Sequence, residues 1–292
     1  MLLVGCGAPA RRGAIEASPP AAPVTLRQRI QAHATFTRRQ SLALMDDGSG
    51  AGLRISTRSN VEMRTFDEHQ VMEHSRYLDL TLMRDGEDAG QHARLRGIGQ
   101  LTVRRVTDAR GITVEPPRAT GQPSTSPDLH AAVLAVLRLL RVEFPERPVV
   151  PGDRWEGAPV EWDSPPSHRV TVVLEPAWRL RGFDVVEGAR VARVDWDAHF
   201  RILPFAAMAG TTLEGEGTLE GTSRVFVEDG RLERTELEVR VSVGPSGAAA
   251  LSLFQFEAKY EEVLVPAEAS RRSLIGSVRP HGTRAREDGP SR

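Results

Sequence analysis

The chain alternates apolar and polar positions with a period of two over most of its length. From Leu237 to Val243, the residues Leu237, Val239, Val241 and Val243 interleave with Glu236, Glu238, Arg240 and Ser242. Successive strand side chains point to opposite faces, so this pattern predicts strands with one buried and one solvated face. The stretch Val185–Ile202 holds the clearest case: Val194, Trp196, Ala198, Phe200 and Ile202 share one face, and Arg193, Asp195, Asp197, His199 and Arg201 the other. Further strands are predicted at Phe36–Met45, at Leu53–Met63, at Tyr77–Met83 with Leu78, Leu80 and Leu82 together on one face, and at Ala93–Val106 with Leu95, Leu101 and Val103 in phase. Short strands follow at Ile112–Val114 and Arg169–Leu174, and a last one at Leu253–Val265 places Phe254, Phe256, Ala258 and Tyr260 together. Asp108-Ala109-Arg110-Gly111 and Glu228-Asp229-Gly230 read as turns, and Pro116–Pro127 as a Pro- and Ser-rich loop.

One segment breaks the two-residue period. Ser126 is a suitable N-cap, Pro127 suits the first helical position and Asp128 faces the positive end of the helix dipole. The run that follows is apolar except for His130, Arg138 and Arg141, which fall on one stripe, and Pro145 stops it. This predicts a helix over about 127–143, too short and too charged to span a bilayer. The expected fold is mainly β: a large curved antiparallel sheet, or two halves of similar build, with this one central apolar helix. Gly97-Ile98-Gly99-Gln100-Leu101 before one turn and Gly215-Glu216-Gly217-Thr218-Leu219 before the other echo each other. Either a duplication or the glycine placement common to curved sheets produces such an echo.

After the helix comes Phe144-Pro145-Glu146-Arg147-Pro148-Val149-Val150-Pro151-Gly152-Asp153-Arg154-Trp155. Its pattern F-P-x-x-P-V-x-x-G-D-x-W, following a helix in a β-rich chain, resembles a family of bacterial envelope lipoproteins of unknown function. The resemblance spans roughly residues 38–266 and implies a secreted β-rich domain without catalytic residues. Physically, the prolines stiffen an extended crossing, Pro151-Gly152 makes a tight turn, and Trp155 anchors the next strand.

Composition narrows the class. Across 292 residues the formal charge is −1, so no basic surplus points to nucleic acid. The single cysteine excludes a disulfide framework and a cysteine-based zinc site. Leu3-Val4-Gly5-Cys6 matches the bacterial lipobox, which makes Cys6 the expected lipidation site and the membrane the expected partner. Residues 1–24 then read as lipobox remnant and flexible tether, 25–269 as the β-rich globular region with a division near 126–155, and 270–292 as a disordered Arg-rich tail. The expected location is the cell envelope, anchored to a membrane and facing the periplasm or exterior.

Candidate chemistry is sparse. Asp195, Asp197 and His199 share a strand face, but Arg193 and Arg201 flank them and would repel a cation, so no metal site is expected. Asp67, Glu68, His69, Glu73 and His74 cluster without zinc-helix spacing and read as a solvated loop or strand edge. No Gly-x-Ser-x-Gly elbow occurs. A non-enzymatic role without cofactor is therefore expected, in one of two forms. In the first, the protein carries a lipid or other hydrophobic ligand in a cavity lined by Leu134, Leu137, Phe205 and Met208, with Phe205–Gly210 a loop packed onto the opening. In the second, the core is solid and the protein binds another envelope protein.

Overall fold

A computed structural model describes residues 22–29, 34–46, 52–67, 69–84, 93–94, 101–120, 140–163, 170–206, 211–247 and 254–267. Nearly all of them belong to one antiparallel sheet that is not closed on itself. Its strands are β1 (Ala34–Asp46), β2 (Gly52–Asp67), β3 (Gln70–Arg84), β4 (Ala93–Arg94), β5 (Thr102–Asp108), β6 (Thr113–Thr120) and β7 (Arg154–Glu156). They continue with β8 (Val160–Asp163), β9 (Thr171–Glu175), β10 (Ala177–Val186), β11 (Ala189–Ala206), β12 (Thr212–Phe226), β13 (Leu232–Pro245) and β14 (Phe254–Pro266). The spatial order is β6-β5-β3-β2-β1-β14-β13-β12-β11-β10-β7, with β4 on β3 and the β8–β9 pair on β11. Two up-and-down meanders thus meet where the first strand pairs with the last, from Phe36 opposite Pro266 to Asp46 opposite Phe256.

The period-two alternation carries through to burial. In β11, Val194, Trp196, Ala198 and Phe200 are buried while Asp197, His199 and Arg201 are exposed. In β13, Leu237, Val241 and Val243 are buried and Glu236, Glu238 and Arg240 exposed. The apolar faces of β9 to β14 enclose the larger core, centred on Trp178, which stacks on Trp155 (6.3 Å) and meets the edge of Trp196 (5.4 Å). Glycine is required where aromatic rings and strands come closest. Gly221 has φ +152°, and a methyl group there would run into the Glu236 carbonyl of the next strand.

Several expectations are corrected. Within Val185–Ile202 the amphipathic strand begins at Ala189, because Glu187 and Gly188, both at positive φ, turn the chain between β10 and β11. Leu78 does not point inward; a register shift opposite Arg58/Ser59 leaves Tyr77 fully buried and Leu78 exposed. Pro116 and Pro117 do not lie in a loop but in β6, which tolerates them because it is an edge strand. Of the cluster before Tyr77, Asp67 and His69 are exposed at the β2–β3 hairpin as expected, but Glu73 and His74 lie within β3 and Glu73 is buried. Phe205 is in the ladder of β11, opposite Leu213, after a register shift at Ile202.

Most of the helix expected at 127–143, with Leu134 and Leu137, lies outside the described residues. Its last positions are described and are not helical: Leu140 is at a bend and Arg141–Glu143 are irregular. The backbone there is drawn into other bonds, Phe144 N–H donating to the Arg110 carbonyl (2.7 Å) and Trp155 Nε1 to the Glu143 carbonyl (2.6 Å). Leu140–Asp153 and Ala22–Arg29 cross the sheet as two irregular straps. They are tied to each other by the reciprocal Val24–Val149 bonds (both 2.9 Å). They are tied to the two echoing turns by Gln28 N–H on the Ala109 carbonyl and Arg29 N–H on the Asp229 carbonyl (both 2.8 Å). Leu26, Phe144 and Val149 are buried beneath them. Pro151-Gly152 forms the expected turn, with Gly152 at φ +98° and Asp153 N–H on the Val150 carbonyl (3.0 Å).

Candidate functional site

Where the first meander meets β14, the inward face stops being apolar. Glu73 on β3 stands directly opposite Arg105 on β5, the cross-strand geometry that best suits an opposite-charge pair. Arg38 on β1 reaches over β2 to bind Glu73 Oε1 (2.7 Å) and the Ser75 hydroxyl (3.0 Å) through Nη1, and its Nε pairs with Glu262 on β14 (2.7 Å). Arg105 Nη2 donates to Glu73 Oε2, and Ser75 Oγ donates to Oε1 (2.8 Å). From the strap, Arg141 Nη2 adds a third guanidinium to Glu73 Oε2 (3.2 Å). Glu262 also accepts from the Tyr260 hydroxyl (2.7 Å), which accepts in turn from Gln40 Nε2 (2.9 Å).

This network is shut away from solvent: the Arg38 and Arg105 side chains are each 2% exposed and Glu73 6%, whereas Arg141 keeps 20%. Ionised groups are tolerated so deep only when paired and hydrogen-bonded. Burial by itself would raise the Glu73 carboxyl; Arg105, Arg38 and Arg141 outweigh it and hold the group well below the usual carboxylate range. Arg38 is driven up, because its two carboxylates overcome its own burial. Arg141 goes the other way. Burial and the adjacent Arg105 push it down to about 9. Tyr260 is raised by burial and by Glu262, which accepts its proton in a hydrogen bond.

Between the straps and this cluster lies a cavity of about 50 Å³. Arg38, Glu73, Arg105, Arg141 and Glu262 form its polar floor, and Met63, Val71, Val142, Phe144, Val225 and Leu264 its apolar walls. Larger depressions of about 590–780 Å³ lie open on the charged outer faces of the sheet.

Of the residues singled out in the sequence, Glu73 lies in this network, and Asp195, Asp197, His199 and Phe205 lie elsewhere. Asp195 is held by Arg179 (3.5 Å) and Arg181 (3.7 Å), and Asp197 and His199 face solvent beside it. Among the described residues, no three of His, Cys, Asp and Glu come close enough to hold a metal. Phe205 is half-buried at the margin of the larger core. Leu134, Leu137, Met208 and Cys6 lie outside the described residues, and no described helix is long and apolar enough to cross a membrane. The ionic cluster went unread in the sequence. Its signal is a set of polar pairs two residues apart at inward strand positions: Arg38 and Gln40, Glu73 and Ser75, Arg105 and Thr107.

No family model and no curated protein matches the chain. Among solved structures it is similar to DynF from the dynemicin biosynthesis pathway of Micromonospora chersina, at 9% identity, with 89% of this chain and 92% of that one covered. The TM-score is 0.24, too low to carry an argument about fold or function.

Proposed function

We propose that the protein is a non-enzymatic lipoprotein of the cell envelope, anchored through Cys6, whose closely filled sheet serves to engage another envelope protein. The observation that carries this reading is the division of the sheet. Its inward face is filled by Trp178, Trp196, Tyr260 and the ionic cluster, and the cavity between the straps and that cluster is about 50 Å³. Its outward face presents alternating arginine and glutamate, as in Arg240 between Glu238 and Glu257. Drug-sized ligands occupy roughly 300–1,000 Å³, well above that cavity. An exposed surface of interspersed charge is suited to steering and selecting a charged partner.

A second reading is favoured by one feature. The apolar face of β11 continues beyond the fully buried Ala198 to half-buried Ile202 and Phe205. If the segments beyond them close over this margin, Phe205 with Leu134, Leu137 and Met208 lines a hydrophobic site.

Native mass spectrometry of the full chain purified without detergent separates the two. A clean apo mass, with no binding of an apolar fluorescent probe, is expected for the interaction reading. A discrete adduct identified as lipid and lost on denaturation overturns it in favour of the carrier. The anchor is tested in the same chain expressed behind a lipoprotein signal peptide in a bacterium: Cys6→Ala should move the protein from the membrane to the soluble fraction.

A further inference from the structure

We propose that the protein self-associates through the outer face of its sheet, the basic patch on the first meander of one copy docking on the acidic patch on the other meander of a second copy. Charge on that face is segregated. The outer positions of β1, β2, β3, β5 and β6 carry Arg39, Arg54, Arg58, Arg64, Arg76, Arg104 and Arg118. Asp79 answers Arg58 (2.8 Å) and Glu115 answers Arg118 (3.8 Å), and Glu62 adds a further carboxylate. The other five arginines have no carboxylate partner among the described residues. On β10 to β13 the reverse holds. Arg179, Arg181, Arg193, Arg201, Arg234 and Arg240 each meet a carboxylate within 3.7 Å. The surplus there is acidic: Asp197, Glu216 and Glu220 have no ion-pair partner among the described residues.

Register sharpens the contrast. Arg104 on β5 stands directly opposite both Arg118 on β6 and His74 on β3. Glu220 on β12 stands directly opposite both Asp197 on β11 and Glu238 on β13. Like charges so placed are destabilising within a sheet, and charge of the other sign brought from outside relieves them. Each row crosses three adjacent strands, roughly 10 Å, so the two match in length. Arg104 is braced for contact, its guanidinium lying over the exposed Phe66 ring (5.6 Å). Beside it Arg39, Arg58, Arg76 and His74 line the open depression of about 590 Å³, which has room for protruding carboxylate side chains. Arginine suits this side of the contact, because its planar fork binds carboxylates bidentately. The two rows do not meet within one chain, since they lie on the same face with β2, β1 and β14 between them. Six strand spacings separate β5 from β12, about 29 Å. A second copy supplies both complements at once, because every copy carries a row of each sign. The contact goes beyond the envelope reading and rests neither on the anchor nor on a second kind of protein.

The test is sedimentation velocity of the full chain under reducing conditions, which keep Cys6 from cross-linking copies. The wild-type chain should associate in about 0.05 M sodium chloride and dissociate in about 0.5 M, where screening shortens the reach of surface charge. Arg104→Glu/Arg118→Glu turns the basic row negative, and Asp197→Arg/Glu220→Arg turns the acidic row positive. Each double variant alone should associate at least about a hundredfold more weakly than wild type. Mixed in equal amounts, the two should form a complex, because each then meets the opposite sign at both contacts. Thermal unfolding at the higher salt, where all three chains are monomers, checks that the variants are folded. A wild-type chain that stays monomeric in low salt up to roughly 100 μM overturns the proposal, even if neither variant folds. So does association that salt leaves unchanged, association of either variant equal to wild type, or failure of the mixed variants to combine. Capture of monomeric wild type by vesicles containing phosphatidylglycerol, with no association in their absence, also overturns it and assigns the basic patch to a lipid surface.

Discussion

The two meanders are built alike and filled differently. The one from β7 to β14 packs Trp178 between Trp155 and Trp196 and buries a long series of valines and leucines. The one from β1 to β6 has a small apolar cluster of Phe36, Val61, Met63, Val71 and Leu264 and places Arg38, Glu73 and Arg105 where the other has tryptophan. Apolar filling stabilises in proportion to area, roughly 25 cal/mol per Å². Buried ion pairs add little net stability over apolar residues of the same volume, yet breaking one is costly. A protein that used strand packing alone would have no reason to prefer the ionic filling. The ionic filling is confined to the half built from β1, β3 and β5, with Glu262 of β14.

The contrast can be broken first at Glu73. Glu73→Ala leaves three guanidiniums facing one carboxylate and should cost about 5 kcal/mol, the upper end for breaking a buried pair, read from urea denaturation. The same carboxylate sets behaviour in acid. Its folded pKa lies below its unfolded value of about 4.3, so its contribution is fully present above that pH and is lost as the pH falls through the folded pKa. Acid unfolding of the wild-type chain should therefore deepen below about pH 4.3, and Glu73→Ala should lack that component.

In the other half, Trp178→Ala should cost about 4 kcal/mol by opening a cavity between two tryptophans, with no added dependence on acid pH. The pair of variants sharpens the comparison, since only the first couples stability to protonation. The smallest expected effect is at Gly221. A methyl group there meets the Glu236 carbonyl and the Leu237 Cα of the neighbouring strand, and Gly221→Ala should cost about 1–3 kcal/mol. Thermal unfolding should show the loss.

Much of the strand pattern was legible along the chain. The inward set Val194, Trp196, Ala198 and Phe200 follows from alternation alone, because a period of two leaves each strand a single choice of buried face. The structural reading of Pro151, Gly152 and Trp155 was likewise available, since a left-handed glycine after proline has few other uses. Where the alternation failed, a tertiary cause is identifiable. Leu78 left its expected face because of a bulge, which shifts the phase by one residue and depends on the partner strand. Leu140–Glu143 left the expected helix because Arg110 and Trp155 claim that backbone.

The amino-acid sequence by itself determined a mainly β protein with a Pro-Gly-Trp crossing and a solvated Arg/Glu face, because hydrophobic periodicity and turn chemistry are local. It also carries the lipobox-like Leu3-Val4-Gly5-Cys6 on which the proposed anchor rests. Only the tertiary structure decided that the first and last strands pair and join the meanders, and that Arg38, Glu73, Arg105, Arg141 and Glu262 share one cavity. The physical reason is that strand order and register bring together residues from four strands and a strap. Each of these residues, met alone along the chain, is indistinguishable from an ordinary surface charge until its neighbours exclude the water around it.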